Sequence, residues 1–170
     1  MVRFKINKIM YTLEADDRHF LQIAIEEAMK GIQNGEGGPF GAVIVKNDQI
    51  LVRAHNRVII ENDPTAHAEI VAIRLACKTL KDFQLSDCVL YTSCEPCPMC
   101  LGAIYWARPS KLVYSATRLD AAAVGFDDAM IYEQLLLPSE KQKITTLHLP
   151  LPESNQPFTW WAANGDKTLY

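Results

Sequence analysis

The chain has 170 residues, 49% hydrophobic and 22% charged, which fits one compact domain with a proper core and gives no reason to expect a second. Its formal net charge is −3 and it has no long Lys/Arg run, so it lacks the basic footprint that a polynucleotide partner ordinarily requires. No segment approaches the roughly twenty apolar residues of a membrane span, no apolar h-region follows Arg3, Lys5 and Lys8, and the five Cys are not spaced as a secreted framework; a soluble cytoplasmic protein is expected.

Within residues 14–33, Phe20, Leu21, Ala24, Ile25, Ala28, Met29 and Ile32 recur at helical spacing, with acids in the first turn and Gly35 past the end, and predict an amphipathic helix. Phe40-Gly-Ala-Val-Ile-Val45 and Gln49-Ile-Leu-Val-Arg-Ala54 flank Asn47-Asp48 and predict a hairpin. A helix over 66–80, a strand over 88–92, a helix over 98–107 and a strand over 111–115 follow, an alternation that means α/β layers. Cys77 and Cys88 fall in apolar patterns and are expected to be core thiols. Residues 128–137 predict a fourth helix and Ile144–Leu149 a last strand.

The ending is unusual. Pro150, Pro152 and Pro157 predict a stiff extended connection, after which Phe158, Trp160, Trp161, Leu169 and Tyr170 concentrate aromatic and apolar surface that must dock. The tail can dock on its own body or on a partner subunit, and the residues alone leave both open.

Chemistry enters at Pro64-Thr-Ala-His-Ala-Glu69 and Pro96-Cys-Pro-Met-Cys100, which hold one His, one Glu and two Cys in the H-x-E…P-C-x-x-C order of zinc deaminases. A catalytic zinc needs three protein ligands and an open position, and His67, Cys97 and Cys100 supply that number with suitable donors. If Pro98 opens a helix, both thiols lie in its first turn, where free backbone N–H groups favour thiolate. His67 and Glu69 are two apart and cannot share a face inside a regular helix, so the site requires them at a helix entrance. Asp63-Pro64-Thr65 reads as that entrance, with Thr65 as its N-cap. Glu69, left over from the ligand set, can move protons. The competing arrangement is a structural zinc: Cys94 precedes the pair as Cys94-x-x-Cys97-x-x-Cys100 and could close a Cys₃His cage.

Further motifs are Gly37-Gly-Pro-Phe-Gly-Ala-Val-Ile-Val45, Asn62-Asp-Pro-Thr-Ala-His-Ala-Glu69, the run Tyr91 to Arg108, and Gly125-Phe-Asp-Asp128. On these the chain resembles the bacterial guanine deaminases of the cytidine-deaminase-like superfamily, from about residue 17 to the terminus; residues 1–12 lie beyond the likeness. The resemblance implies a three-layer α/β/α sandwich, with a central mixed β-sheet flanked by helices. It implies a hydrolase acting on the C–N bond of a cyclic amidine, converting guanine to xanthine and ammonia with one zinc per chain. It further implies one domain over 1–170, working as a homodimer whose C-terminal segments, about 150–170, are exchanged.

By the same resemblance His67, Cys97 and Cys100 hold zinc, Glu69 and Asp128 are catalytic, and Asn56, Phe40, Trp106 and Tyr170 bind the purine. Each of the extra residues has a simpler competitor: helix capping for Asp128, a turn for Asn56, core packing for Phe40 and Trp106. The zinc core is shared with tRNA-specific adenosine deaminases, the alternative reading. Against it stand the acidic balance, the aromatic tail and Gly125-Phe-Asp-Asp128.

Overall fold

Successive side chains of a strand point to opposite faces, and the run Gly41-Ala-Val-Ile-Val-Lys46 uses both. Ala42 and Ile44 enter one apolar cluster, Val43 and Val45 another. The computed structural model describes residues 15–169; residues 1–12 and Tyr170 lie outside the described residues. In chain order its elements are α1 (Ala15–Gln33), β1 (Gly41–Lys46), β2 (Gln49–His55), α2 (Val58–Glu61), α3 (Ala68–Leu80), β3 (Cys88–Cys94), α4 (Pro98–Ala107), β4 (Lys111–Ala116), α5 (Arg118–Ala122), α6 (Ala129–Leu135) and α7 (Gln156–Ala163), with a 3₁₀ turn at Ser139–Lys141.

The four-stranded sheet runs β2-β1-β3-β4. β1 is antiparallel to β2 and β3, and β4 is parallel to β3. The β1–β2 turn places Asn47 and Asp48 at φ 51 and 59, the left-handed pair that a tight hairpin demands. The parallel β3–β4 pair needs a crossover, and α4 provides it. Phe20, Ile23 and Ala24 of α1 pack on Val43, Val45, Tyr91 and Val113. On the other face Ala68, Ala72 and Ala76 of α3, with Ile104 and Ala107 of α4, pack on Ala42, Ile44, Val52 and Leu90. The alanines let α3 approach the sheet closely, and the result is the mixed three-layer α/β/α arrangement expected. Asp17 pins α1 to the sheet: its buried carboxylate accepts from Tyr91 Oη at 2.8 Å and from Lys111 Nζ at 2.7 Å.

Several expectations need correction. Ile144–Leu149 is not a strand: it pairs with no strand among the described residues, and Leu147 and Leu149 stand exposed. The extended connection ends sooner than expected, because Pro157 sits in the first turn of α7, where a missing N–H costs nothing. Thr65 is not the N-cap. Its N–H and hydroxyl both donate to Asp63 Oδ1, at 2.7 and 2.8 Å, and the helix starts after His67. The short α2 and α5 give no periodic signal, although Thr117 and Asp120 form a reciprocal capping box at α5.

Among the described residues no helix is long and apolar enough to cross a membrane. Cys88 is buried and Cys77 packs against the same cluster, as expected for core thiols. After Val113 no described residue is buried.

Candidate active site

Two helices begin side by side, and each begins with a metal-binding side chain. His67 is the residue before α3 (φ −68, ψ 155) and Cys97 the residue before α4 (φ −65, ψ 168). Neither side chain caps its own helix, so both are available elsewhere. Pro98 occupies the first turn of α4, and Cys100 follows, fully buried. Glu69 lies in the first turn of α3 and is also buried. The helix-entrance geometry inferred for the H-x-E pair is therefore present, although not through Thr65.

His67 Nδ1 stands 3.6 Å from Cys97 Sγ and 3.5 Å from Cys100 Sγ, and the three donor atoms lie within 4.8 Å of one another. A tetrahedral zinc with bonds of about 2.0 Å to nitrogen and about 2.3 Å to sulfur separates those atoms by about 3.5 Å. The donor set fits zinc in both chemistry and spacing. Cys94 does not belong to it: its Sγ donates to the Thr117 carbonyl at 3.5 Å, and burial pushes its thiol up to about 11. The group has three protein ligands, not the four of a closed cage.

The Cys97 and Cys100 thiols are pushed in opposite directions. A hydrogen bond from the Cys100 thiol, opposed by burial and helped by His67, holds Cys97 down to about 4. Cys100 is pushed the other way by donating that bond and by burial. The bond to Cys97 raises His67 despite its burial. Burial, with the Cys97 charge behind it, raises the Glu69 carboxyl, so Glu69 holds a proton more readily than an exposed glutamate.

These residues open onto a pocket of about 670 Å³ whose lining includes Phe40, Asn56, His67, Glu69, Cys97 and Asp128. Asn56 makes the turn contact of its simpler reading, Oδ1 accepting from Val58 N at 3.1 Å, and the same oxygen also accepts from Gly38 N at 3.1 Å, which leaves Nδ2 as its side-chain donor. Gly37 is required beside it, since a Cβ there would lie 2.3 Å from Asn56 O and Oδ1. Phe40 meets Phe126 edge-on at 5.0 Å, and the two rings form an apolar wall. Capping of α6 falls to Asp127, whose Oδ1 accepts from Ala129 N at 2.9 Å, while Asp128 makes no capping bond. Burial and the Cys97 charge raise the Asp128 carboxyl.

Trp106 departs from this set. Within one chain it lines a separate apolar groove of about 680 Å³ with Ile70, Phe83 and Met99. The groove contains none of the metal donors, and Trp106 does not touch the pocket that they form. Phe126 and Arg118 also line the metal-side pocket and were not singled out as binding residues. Phe126 sits inside the Gly125-Phe-Asp-Asp128 motif, which was its available signal; nothing local marked Arg118, whose guanidinium lies 4.7 Å from the Tyr132 ring centre.

A family model for the cytidine and deoxycytidylate deaminase zinc-binding region matches residues 14–116. Guanine deaminase of Bacillus subtilis (strain 168) is 52% identical over 151 residues, spanning 89% of this chain and 97% of that protein. An X-ray structure of guanine deaminase from Bacillus subtilis superposes with a TM-score of 0.89 at 50% identity, covering 93% of this chain and 99% of the other. The tRNA-specific adenosine deaminase of Aquifex aeolicus (strain VF5) is 38% identical over 138 residues, 81% of this chain and 88% of that protein.

Proposed function

This chain belongs to the cytidine and deoxycytidylate deaminase zinc-binding family, on its guanine deaminase branch, and we propose that it hydrolyses guanine to xanthine and ammonia with one zinc per chain. The observation that carries the reading is the meeting, around one pocket, of a three-donor metal group, a buried glutamate and Asn56. The same pocket in a chain 52% identical to a guanine deaminase favours guanine over a tRNA adenosine, whose deaminases stand further off.

His67, Cys97 and Cys100 would hold the zinc. Bound there, it lowers the pKa of a water molecule to roughly 7 and makes a nucleophile available near neutrality. Glu69 moves the protons: one goes to the ring nitrogen beside the amino-bearing carbon, another to the departing amino nitrogen. Guanine presents O6 and N7 as acceptors along one edge and its 2-amino group as a donor. The Asn56 Nδ2 donates to the acceptor edge, and Asp128 receives the amino end. Phe40 and Phe126 supply one apolar wall for the flat ring.

The rest of the pocket is completed by a second copy. Leu136, Leu147, Leu149, Phe158 and Trp160 are all exposed within one chain, a larger apolar surface than an isolated soluble chain ordinarily leaves uncovered. We therefore read residues 1–170 as one domain whose segment of about 150–170 is exchanged in a homodimer, with the partner's Tyr170 and the partner's Trp106 closing the site. The enzyme works in the cytoplasm, in keeping with five cysteines that form no disulfide.

The test is ammonia release by the zinc-loaded protein from guanine, adenine, cytosine, cytidine and an adenosine-bearing tRNA stem-loop, each offered separately. Guanine-selective release is expected. Release from the RNA alone would move the assignment to tRNA editing, and no release from any substrate would contradict an enzymatic role.

A further inference from the structure

Behind the purine-facing wall lies a polar group that the proposed chemistry does not use. Glu36 immediately precedes the Gly37-Gly-Pro-Phe40 loop, and its Oε2 accepts from His55 Nε2 at 2.9 Å and from Arg57 Nη1 at 2.6 Å. His55 and Arg57 are the two sequence neighbours of Asn56. One carboxylate oxygen thus grips the chain on both sides of the residue that faces the pocket.

The grip continues on every side. His55 is buried, and its Nδ1 makes no hydrogen bond but faces Glu27 Oε2 of α1 at 3.6 Å. The far side of Arg57 is held by Glu61, which accepts from Nε at 2.6 Å. Backbone bonds run in parallel: Asn56 N donates to Phe40 O at 2.9 Å, Ile60 N to Glu36 O at 3.1 Å, and Arg57 N to Ala66 O at 2.9 Å, the last tying the segment to the residue before His67. Gly31 permits the arrangement, since a Cβ there would fall 2.8 Å from the His55 ring. Charge-assisted bonds of this length, partly buried at His55 and Glu36 and more open at Arg57 and Glu61, resist small displacements of the groups they join.

We propose that Glu36 is a positioning residue: through His55 and Arg57 it fixes the Asn56 amide and the Gly37–Phe40 loop as the purine-orienting wall of the pocket. It touches no substrate and acts on binding geometry, whereas Glu69, His67, Cys97 and Cys100 sit at the entrances of α3 and α4. Loosening it therefore weakens the hold on the ring without disturbing the proton transfers. The kinetic part of this proposal rests on the guanine reading above; the structural part does not.

The zinc-loaded full-length protein and its Glu36→Ala and Glu36→Gln variants are compared in two ways. Amide hydrogen exchange is read over 36–41, 55–60 and, as a reference, 88–94. In Glu36→Ala the first two stretches should exchange about tenfold faster while the third is unchanged. Guanine KM should rise about tenfold, with kcat within about twofold and zinc content intact. Glu36→Gln keeps an acceptor in place and should recover most of the loss. Arg57→Met, which removes only the more exposed arm, should show the same pattern at about a third of the size, and it carries the test if Glu36→Ala does not fold.

Unchanged exchange over 36–41 and 55–60 would overturn the proposal, as would faster exchange without a change in KM. A kcat that falls in step with zinc content would also overturn it, because Glu36 would then be supporting the fold as a whole. If the wild type turns over no guanine, the functional reading fails, while the exchange result still decides whether Glu36 holds the wall.

Discussion

Residues 15–113 contain every buried side chain described, whereas residues 114–169 contain none, and yet one pocket takes its walls from both. The first region is a finished object. Its sheet is covered on both faces, and its metal donors are set by two helix entrances that the core itself fixes in place. The second is unfinished in a single chain: Asp128 and Phe126 reach the pocket, but beyond them apolar side chains face water. The difference separates two tasks. On the reading proposed above, bond-breaking chemistry sits on the stable body, and enclosure of the substrate falls to a segment that would gain its packing on assembly.

The sharpest way to break this division is to remove the proton carrier while keeping everything around it. Glu69→Gln should retain zinc and fold and lose about a thousandfold in kcat, read as ammonia release against metal content. Substantial retained turnover would place the proton transfers elsewhere. Deleting residues 157–170 attacks the other side of the comparison. The body should still fold and bind zinc, while kcat/KM falls about a hundredfold as water exclusion is lost, and sedimentation should show a weakened dimer. A fully active, truncated monomer would contradict the division outright.

Asp128→Asn probes the seam between the regions. It should cost about tenfold in kcat/KM with unchanged metal content, because a pocket contact is altered and the α6 capping bond belongs to Asp127. Cys94→Ala should have the smallest effect. Zinc content and turnover stay at wild-type level, with a loss of about 1 kcal/mol in stability measured by denaturant unfolding. Abolished metal binding would restore the closed four-ligand cage.

The division also explains what could be read from the sequence. His67, Glu69, Cys97 and Cys100 were legible because their spacing makes sense only at helix entrances, and the body folds by local rules that fix those entrances. The alternation of β1 and the periodicity of α1 likewise report layers that each chain completes for itself. Ile144–Leu149 misled for the opposite reason: an apolar run becomes a strand only beside a partner edge, and among the described residues the segment pairs with none. Trp106 shows a different limit. Its helix was legible, but which of two pockets a side chain of α4 lines depends on how that helix is rotated on the sheet, which composition does not encode. The bracing group of Glu36, His55 and Arg57 was missed because its members are up to twenty-one residues apart and follow no metal or nucleophile pattern.

The most direct test of the whole account is complementation between two inactive proteins. Glu69→Gln keeps the closing segment and lacks the proton carrier, and the 157–170 deletion keeps the carrier and lacks the segment. Mixed and allowed to exchange subunits, they should recover guanine turnover well above the sum of the two alone, because the segment of one copy closes the intact site of the other. A mixture no more active than its components, under conditions where mixed dimers form, would show that each chain closes its own pocket and would contradict the account.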